Sequence, residues 1–314
     1  MKVKDETKTI VFVLFMFLSL SPLTSIQPVS SQIPLPTILI QPDGTVSPSS
    51  APIIQNGNTY TFTDNIYSTL KIQKSNIILE GAGYTLYGSY NGTAVDVWVL
   101  GEGPDQLPAG TLAQYTIGID LASRTVEGVT ISNLNIHNFS IGMYIWTKNN
   151  TITGNAVYNN IVGILLSGEN ETVTQNYISQ NQRGLFFGFN NQGDTIPQDI
   201  EINHNHFENN VIQLNGCECK DFNTTEEPHC WDNGSEGNFW SDYTGTDDNG
   251  DGIGDSAYVI DVLNRDRYPL MVSPIKTSDT ASSIPVETIV MASLIILVIA
   301  TAATLALRKK RKKS

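Results

Sequence analysis

Three segments decide the fold: Gly142-Met-Tyr-Ile, Gly163-Ile-Leu-Leu and Gly184-Leu-Phe-Phe. Their glycines are 21 residues apart, and each glycine opens an apolar triplet. The same step separates two further sets of residues, Thr130-Ile131, Thr151-Ile152 and Thr172-Val173, and the asparagines Asn155 and Asn176, which recur at Asn205 after an eight-residue insertion. A fixed period of about 20 residues without helical spacing is typical of a solenoid, in which each unit buries its apolar face against its neighbours.

The residues inside each unit indicate which solenoid forms. Short segments such as Val129-Thr-Ile-Ser and Asn150-Thr-Ile-Thr alternate apolar and polar residues, as β-strands do. Asn and Gly pairs separate these segments, and both residues tolerate the left-handed backbone of a tight corner. Three strands and three corners per period predict an all-β, right-handed parallel β-helix over residues 33–216, with the handedness taken from fold analogy. Asn155, Asn176 and Asn205 are expected to stack inside it as an amide ladder.

The N-terminal end predicts secretion. Residues 1–32 place three lysines before the apolar run Ile10–Leu20, which is followed by Ser-, Thr- and Pro-rich sequence. This order is typical of a signal peptide, with cleavage expected between Ser25 and Gln32. The alternative is an uncleaved N-terminal anchor.

The C-terminal end predicts a membrane anchor. Residues 288–307 carry no charge and are long enough to cross a bilayer as a helix. The basic residues of 308–314 follow at once, which places this tail in the cytoplasm, and residues 272–287 form a Ser/Thr/Pro-rich stalk. The chain is therefore predicted to be a single-pass protein of the cell membrane with an extracellular ectodomain.

The charge of the chain bears on its partners. The formal net charge is −13, and nine of the 18 lysines and arginines lie in the first 32 residues and the last seven, so the region between is more acidic still. Such a surface disfavours nucleic acids and favours cations. Six Asn-x-Ser/Thr sequons are compatible with a glycosylated exterior.

Strand register predicts a glycan-binding strip. The first and third residues of each apolar triplet should point inward, so Tyr144 and Phe186 should point outward, with Trp146 two places beyond Tyr144. Aromatic side chains on adjacent rungs would form an apolar platform on which sugar rings can pack. In the alternative, one of the loops Val99–Tyr115 and Asn190–Pro197 folds over the strip and buries it.

The segment 217–271 is expected to cap the solenoid and to hold calcium. Oxygen ligands stand at positions 1, 3, 5, 7 and 9 of an EF-hand-like loop, with Gly252 at the sharp turn: Asp247, Asn249, Asp251, the carbonyl of Ile253, and Asp255. Tyr258 stands where a bidentate Glu is expected, and either Asp261 or Asp242 would have to replace it. The alternative is an acidic turn without a metal. The aromatic residues Phe239, Trp240, Tyr243 and Tyr258 are expected to close the C-terminal end.

Three cysteines, Cys217, Cys219 and Cys230, lie in this segment. In an extracellular protein they predict one disulfide, between Cys230 and either Cys217 or Cys219. A zinc site formed by the three cysteines and His229 is the alternative, although the spacing matches no strong zinc motif. His204 and His206 are a further candidate pair of copper or zinc ligands.

The rungs and the C-terminal segments resemble the NosD-like group of pectate-lyase-type right-handed β-helix proteins, especially its surface-anchored archaeal members. The resemblance rests on Asn76–Gly88 and on four C-terminal segments: Gly237-Asn-Phe-Trp-Ser-Asp-Tyr243, Asp247–Asp255, Tyr258-Val-Ile-Asp261 and Asp266-Arg-Tyr-Pro-Leu-Met271. It implies a carbohydrate-binding or sugar-hydrolase-like protein. The copper delivery associated with the name-giving members carries over poorly, because no Met/His cluster is present beyond His204 and His206.

Relatives of this fold cleave acidic polysaccharides with clustered aspartates and an arginine base, or with paired aspartates. Here Arg124 and Arg183 are the arginines of the repeats, and neither has carboxylates aligned on neighbouring rungs. The sequence therefore favours a non-catalytic, calcium-stabilised protein of the cell surface that binds polysaccharide or glycoprotein glycans. A polysaccharide lyase or glycoside hydrolase is the alternative, and a structural stalk or a copper-related accessory protein is a third reading.

Overall fold

The computed structural model describes residues 35–90, 116–123, 125–188, 197, 199–215, 229–261 and 264–275. The described residues form 24 β-strands. In chain order these are β1 (Thr37–Ile40), β2 (Val46–Ser47), β3 (Ile53–Asn56), β4 (Thr59–Phe62), β5 (Thr69–Ile72), β6 (Ile78–Glu80), β7 (Thr85–Tyr87), β8 (Ile117–Leu121), β9 (Thr130–Ser132), β10 (Asn135–His137), β11 (Ile141–Ile145), β12 (Thr151–Thr153), β13 (Ala156–Tyr158), β14 (Val162–Leu166), β15 (Thr172–Thr174), β16 (Tyr177–Ser179), β17 (Arg183–Phe187), β18 (Ile200–Asn203), β19 (His206–Glu208), β20 (Ile212–Asn215), β21 (His229–Cys230), β22 (Phe239–Trp240), β23 (Tyr258–Val259) and β24 (Arg265–Asp266).

From β4 to β22, consecutive strands belong to different sheets, as a solenoid requires. Sheet A has the order β2-β1-β5-β8-β11-β14-β17-β20, sheet B the order β21-β18-β15-β12-β9-β6-β4-β3, and sheet C the order β22-β19-β16-β13-β10-β7. The chain runs from sheet B to sheet C to sheet A and back in every rung, so each sheet gains one parallel strand per turn. The fold is all-β and forms a parallel β-helix, which confirms the coarse prediction.

The 21-residue period appears directly in the strand register. Thr151 pairs with Thr130 on one side and Thr172 on the other, and Met143 pairs with Ile164, with each partner 21 residues away. Equivalent residues of successive periods therefore stack on one another, so each sheet contributes a column of apolar side chains to a shared interior. In sheet B the column is Leu79, Ile131, Ile152, Val173 and Ile202, and in sheet C it is Leu86, Ile136, Val157, Ile178, Phe207 and Trp240.

Asparagine pairs build the corners. In Asn149-Asn150, Asn159-Asn160 and Asn209-Asn210 the first residue has a left-handed backbone, with φ between 52° and 60°. The second residue of each pair points inward and is buried. Asn therefore serves both requirements of a tight corner, a positive φ and a side chain that satisfies buried backbone groups.

The predicted amide ladder is present and longer than expected. The Nδ2 atoms of Asn155, Asn176 and Asn205 each donate to the Oδ1 atom of the next rung at 3.0 Å, and the last acceptor in this series is Asn238. Asp266 ends the ladder by accepting the backbone N–H of Asn238 at 2.7 Å. Burial raises the pKa of Asp266 to about 6, against the hydrogen bonds that it accepts.

A second ladder, which the sequence analysis did not identify, joins Asn160, Asn181 and Asn210 at 3.1 and 2.9 Å. It ends at Gln213, whose Oε1 accepts from Asn210 at 2.8 Å. At a third corner the carboxylate of Glu171 takes the place of an amide and accepts two hydrogen bonds from Asn150. The spacing of 21 and then 29 residues could have predicted the second ladder, because it equals that of the first.

The C-terminal end is closed by stacked aromatic rings. Trp240 stacks on Phe207 of the last full rung with ring centroids 4.4 Å apart, and Tyr258 stacks on Trp240 at 4.3 Å. Trp240 also donates its indole N–H to Asp266 at 2.9 Å. At the N-terminal end, the antiparallel pairs β1–β2 and β3–β4 lie at the edges of sheets A and B.

Two predicted segments fall outside the described residues: the signal peptide, 1–32, and the membrane helix with its tail, 288–314. No helix within the described ranges has the length and apolar character needed to cross a bilayer. Both predictions for the chain ends stay predictions.

Candidate functional site

The predicted glycan-binding strip lies on the outer side of sheet A but is not exposed. Tyr144 pairs in register with Leu165, and Leu165 pairs with Phe186, while their neighbours Met143 and Phe187 point into the interior. The inward and outward assignment of these residues is therefore confirmed. The expected exposure is wrong, because Tyr144, Trp146 and Phe186 are only 4%, 5% and 6% exposed.

These side chains belong to a second apolar cluster, separate from the interior of the solenoid. We call it the outer cluster, and it consists of Tyr90, Ile141, Tyr144, Trp146, Ile161, Val162, Leu165 and Phe186. Tyr90 reaches it from a distant part of the chain, and its hydroxyl accepts a hydrogen bond from Gln182 at 3.2 Å. The two loops that would cover the strip in the alternative prediction, Val99–Tyr115 and Asn190–Pro197, lie outside the described residues, apart from Pro197.

The outer side of sheet C carries the exposed aromatic surface. Tyr67, Tyr87, His137 and Tyr158 follow one another on four successive rungs, and we call this set the aromatic band. Its ring centroids are 5.1, 6.1 and 4.9 Å apart in that order. Tyr67 and Tyr87 are 45% and 37% exposed.

The register explains the band. His137 pairs with Tyr87 and with Tyr158, and Ile66 forms a bridge to Leu86, which places Tyr67 beside Tyr87. The rings lie against one another, and Tyr67, at the end of the series, is the most exposed of the four. The sequence carried a signal for this column, since His137 and Tyr158 are one 21-residue period apart.

Burial keeps two members of the aromatic band, His137 and Tyr158, uncharged at neutral pH. Burial lowers the pKa of His137 below its usual value, so the imidazole is neutral, and burial raises the pKa of Tyr158, so the phenol keeps its proton. The other outward residues of the same strands are Thr85, Asn135 and Ala156. The surface thus offers hydroxyl, amide and imidazole groups without a carboxylate, within a strongly acidic chain.

The predicted calcium loop is folded around its own carboxylates. Asp247 accepts the backbone N–H groups of Gly250, Asp251 and Gly252 at 2.8, 3.1 and 2.9 Å. Asn249 accepts from the N–H of Asp251 at 2.8 Å. In the same manner, the side chain of Asp251 accepts the backbone N–H of Ile253, and the side chain of Asp255 accepts the backbone N–H of Asp248.

The two residues considered as substitutes for the missing ligand at position 12 of the loop, Asp261 and Asp242, form other hydrogen bonds. Asp261 accepts three hydrogen bonds from Asn264 at 2.8–3.0 Å, and Asp242 accepts the hydroxyl of Tyr258 at 3.2 Å. Across the described ranges, no three or more His, Cys, Asp or Glu side chains are grouped so as to hold a metal ion. The carboxylates of the loop accept hydrogen bonds from its own backbone N–H groups, and the calcium site stays a prediction.

The remaining predicted residues are spread apart. Cys230 is an exposed, free cysteine, and Cys217 and Cys219 lie outside the described residues, so the disulfide stays a prediction. His204 contacts Glu236 at 2.8 Å, whereas His206 contacts Ser273 at 2.5 Å.

Two charged residues of sheet A, Asp120 and Arg183, have structural partners. Asp120 forms an ion pair with Lys71 at 3.1 Å on the outer side of sheet A. The guanidinium of Arg183 lies 5.4 Å from the centre of the Phe186 ring, and Arg124 lies outside the described residues. These contacts are an ion pair and a cation–π contact within sheet A.

Comparison with known families agrees with this architecture. Residues 113–237 match the family model described as "Right handed beta helix region". A search of curated proteins found no match. The closer likeness to NosD-like proteins is not tested by the family model and stays a prediction. The three stacked parallel sheets and the matched family model together show that this chain is a β-helix protein.

Proposed function

We propose that this protein is a non-catalytic, extracellular β-helix protein that binds neutral polysaccharides through the aromatic band. The observation that carries the proposal is the exposure of these rings on the outer side of sheet C, where Tyr67 is 45% exposed and Tyr87 is 37% exposed. Neighbouring exposed aromatic rings offer a surface on which a partner can pack. Tyrosines also supply rigid contact area at a low cost in side-chain entropy.

The ligand class follows from the charge and the chemistry of the band. Phenol, imidazole, amide and threonine hydroxyl groups donate and accept hydrogen bonds without carrying charge, and sugar hydroxyls are their natural partners. An acidic polymer would be repelled by the surrounding negative charge, and no cationic group lies among the outward residues of β7, β10 and β13. A carboxylate pair for hydrolysis is also missing from those three strands.

Extracellular display is part of the proposal and is supported by the sequence of the two ends. The signal-like residues 1–32 and the apolar residues 288–307 would place the β-helix outside the cell on a C-terminal anchor. A rigid solenoid held in this way would present the aromatic band to an extended chain along its own axis.

The test is binding of the purified full-length chain to immobilised polysaccharides. The panel comprises neutral polymers (xylan, mannan, cellulose and starch) and acidic polymers (pectate and alginate). We expect binding to at least one neutral polymer, and a loss of about tenfold in Tyr87→Ala, since a hot-spot aromatic typically contributes more than about 1 kcal/mol.

The matched control is Ile78→Ala. Ile78 lies on sheet B and is 44% exposed, so its removal changes a similar amount of exposed apolar surface away from the band. Binding to acidic polymers alone, or an equal loss in both variants, would contradict the proposal.

We further propose that the loop Asp247–Asp255 binds calcium and stabilises the C-terminal cap. The loop is tied to the segment that follows the last strand, because Met271 N–H donates to the carbonyl of Gly252 at 2.9 Å and Gly254 N–H donates to that of Pro269 at 2.8 Å. Leu270 of this segment bridges to Phe239 of β22. An ion that orders the loop would therefore also stabilise β22, the last strand of sheet C.

Thermal unfolding of the full-length chain with calcium and with chelator tests this proposal. Calcium at about 100 times its dissociation constant should stabilise the folded state by about 2.7 kcal/mol and raise the midpoint. Asp251→Ala should abolish the rise. Asp248→Ala is the control, because this exposed neighbour stands at a position without a ligand role, and an unchanged midpoint in the unmodified chain would refute the calcium site.

A further inference from the structure

Three Asn-Gly pairs lie within the described residues: Asn56-Gly57, Asn233-Gly234 and Asn249-Gly250. In such a pair the backbone nitrogen of the glycine, which carries no side chain beside it, can attack the side-chain carbonyl carbon of the asparagine. All three asparagines are exposed. The three glycines have φ values of 60°, 91° and 76°, and a Cβ atom added at any of them would meet no atom within 4 Å. Neither space nor backbone angle therefore separates the three pairs.

Hydrogen bonds from the glycine nitrogens do separate them. The N–H of Gly234 donates to Oδ1 of Asp232 at 2.9 Å, and the N–H of Gly250 donates to Oδ1 of Asp247 at 2.8 Å. Attack requires this nitrogen to lose its proton, which would place a negative charge directly beside a carboxylate. Both carboxylates therefore oppose the reaction at these two pairs.

The side chains of the same two asparagines are also held. Oδ1 of Asn233 accepts the backbone N–H groups of Ser235 and Glu236 at 3.0 and 2.8 Å. Oδ1 of Asn249 accepts the backbone N–H of Asp251 at 2.8 Å, and its Nδ2 donates to the carboxylate of Asp251 at 3.0 Å. These bonds restrict the side-chain rotation that ring closure onto the following glycine requires.

The pair in the β3–β4 hairpin differs from the other two. Asn56 pairs with Thr59 across the two-residue turn Gly57-Asn58. Gln55 donates to the carbonyl oxygen of Gly57 at 3.1 Å, which leaves the nitrogen of this residue untouched. Among the residues that the structure describes, neither the N–H of Gly57 nor the side chain of Asn56 has a hydrogen-bond partner. No carboxylate accepts this N–H, and the side chain is free to rotate.

We infer that, of the three pairs, Asn56-Gly57 is the site at which the folded chain undergoes spontaneous deamidation. The nitrogen of Gly57 gives its proton to hydroxide and bonds to Cγ of Asn56. The Cγ–Nδ2 bond breaks, and Nδ2 leaves as ammonia with a proton taken from water. Water then opens the resulting succinimide at either ring carbonyl, which leaves aspartate or isoaspartate. Either product places a negative charge at the tip of the hairpin, and isoaspartate also adds a backbone carbon to the turn.

The test is peptide mapping by mass spectrometry after incubation of the purified full-length chain at mildly alkaline pH. A chelator is present, so that the result does not depend on whether the loop Asp247–Asp255 binds calcium. The product should form at Asn56 at least about tenfold faster than at Asn233 or Asn249, in line with the strength of a hydrogen bond to a charged group.

The matched control is the same chain in denaturant, where these hydrogen bonds are absent. The three pairs should then react at similar rates, because each consists of the same two residues. Formation of the product at Asn233 or Asn249 as fast as at Asn56 in the folded chain overturns the inference. A tenfold advantage of Asn56 that persists in denaturant also overturns it, because the folded structure would not be its cause.

Asp247→Ala tests the effect of a carboxylate directly. This variant removes the acceptor of the Gly250 N–H, so Asn249 should react at least about threefold faster than in the unmodified chain, while the rate at Asn56 stays the same. Asp248→Ala is the control, because it removes a neighbouring carboxylate that does not accept this N–H, and it should leave both rates unchanged. An unchanged rate at Asn249 in Asp247→Ala overturns the inference.

Discussion

The outer faces of sheets A and C differ in exposure, although the strand register makes both point outward. On sheet A, Phe186 is 6% exposed within the outer cluster. On sheet C, Tyr67 is 45% exposed in the aromatic band. Both faces carry outward aromatic residues, on successive rungs in sheet C and separated by Leu165 in sheet A. The direction of a side chain is therefore a local property of its strand, whereas its exposure depends on what else packs on that face.

The chemical consequences differ in the same way. The outer cluster adds a second apolar core to the solenoid, so its residues contribute to folding. The aromatic band is bounded by solvent, so its residues are free to contact a ligand at a small cost in stability. This contrast moves the candidate glycan-binding surface from Tyr144, Trp146 and Phe186 to the rings of sheet C.

The largest expected effect tests whether the outer cluster is a core. Phe186→Ala should lower the free energy of unfolding by about 3 kcal/mol, as removal of a buried phenylalanine typically does. Phe187→Ala is the matched variant, because this neighbouring side chain points into the interior and is fully buried. Chemical denaturation of both variants should give similar losses. A loss below about 1 kcal/mol for Phe186→Ala alone would show that the outer face of sheet A is only loosely packed.

A smaller effect on the free energy of unfolding is expected at Glu171, a buried acid in the corner that precedes β15. Burial raises the pKa of Glu171 to about 8 from an ordinary value of 4.5, against the two hydrogen bonds that it accepts from Asn150. Between pH 4.5 and 8 the unfolded chain releases this proton while the folded chain retains it. The free energy of unfolding therefore falls as the pH rises through this window, by up to about 1.4 kcal/mol per pH unit.

Glu171→Gln should remove this dependence, because an amide does not titrate there. The measurement is the free energy of unfolding at pH 5 and pH 7, and the unmodified chain should lose about 2 kcal/mol more than the variant between these values. Asp266 is unchanged in both proteins, so its own titration cancels in the difference. Equal slopes in the two proteins would mean that Glu171 is ionised inside the solenoid.

The smallest effect on the free energy of unfolding is expected at the exposed outer face of sheet C. Tyr67→Ala removes one ring contact, with Tyr87 at 5.1 Å, and a side chain that is already 45% exposed. We expect a loss of about 0.5–1 kcal/mol in the free energy of unfolding, in line with a single aromatic pair. Denaturation under the conditions used for Phe186→Ala gives the comparison directly. A loss as large as that of Phe186→Ala would make the two faces equivalent and remove the contrast.

Much of the fold followed from periodicity alone. The 21-residue step, the inward positions of Met143 and Leu185, and the ladder through Asn155, Asn176 and Asn205 all appear in the structure as predicted. They could be predicted because, in a solenoid, equivalent positions of successive periods become neighbours in space. The second amide ladder obeys the same rule, and only closer reading of Asn160, Asn181 and Asn210 would have been needed to find it.

Other features were decided by tertiary structure, because they join parts of the chain that share no period. Tyr90, a member of the outer cluster, lies 92 residues before its hydrogen-bond partner Gln182. Asp266, which ends the amide ladder, lies 28 residues after Asn238, and Ser273 lies 67 residues after its contact His206. The sequence by itself determined the solenoid, the direction of each strand residue and the stacking of its corners, since these depend on neighbours one period away. Only the tertiary structure decided which outward face is covered and how the C-terminal end is closed, because long-range packing sets exposure.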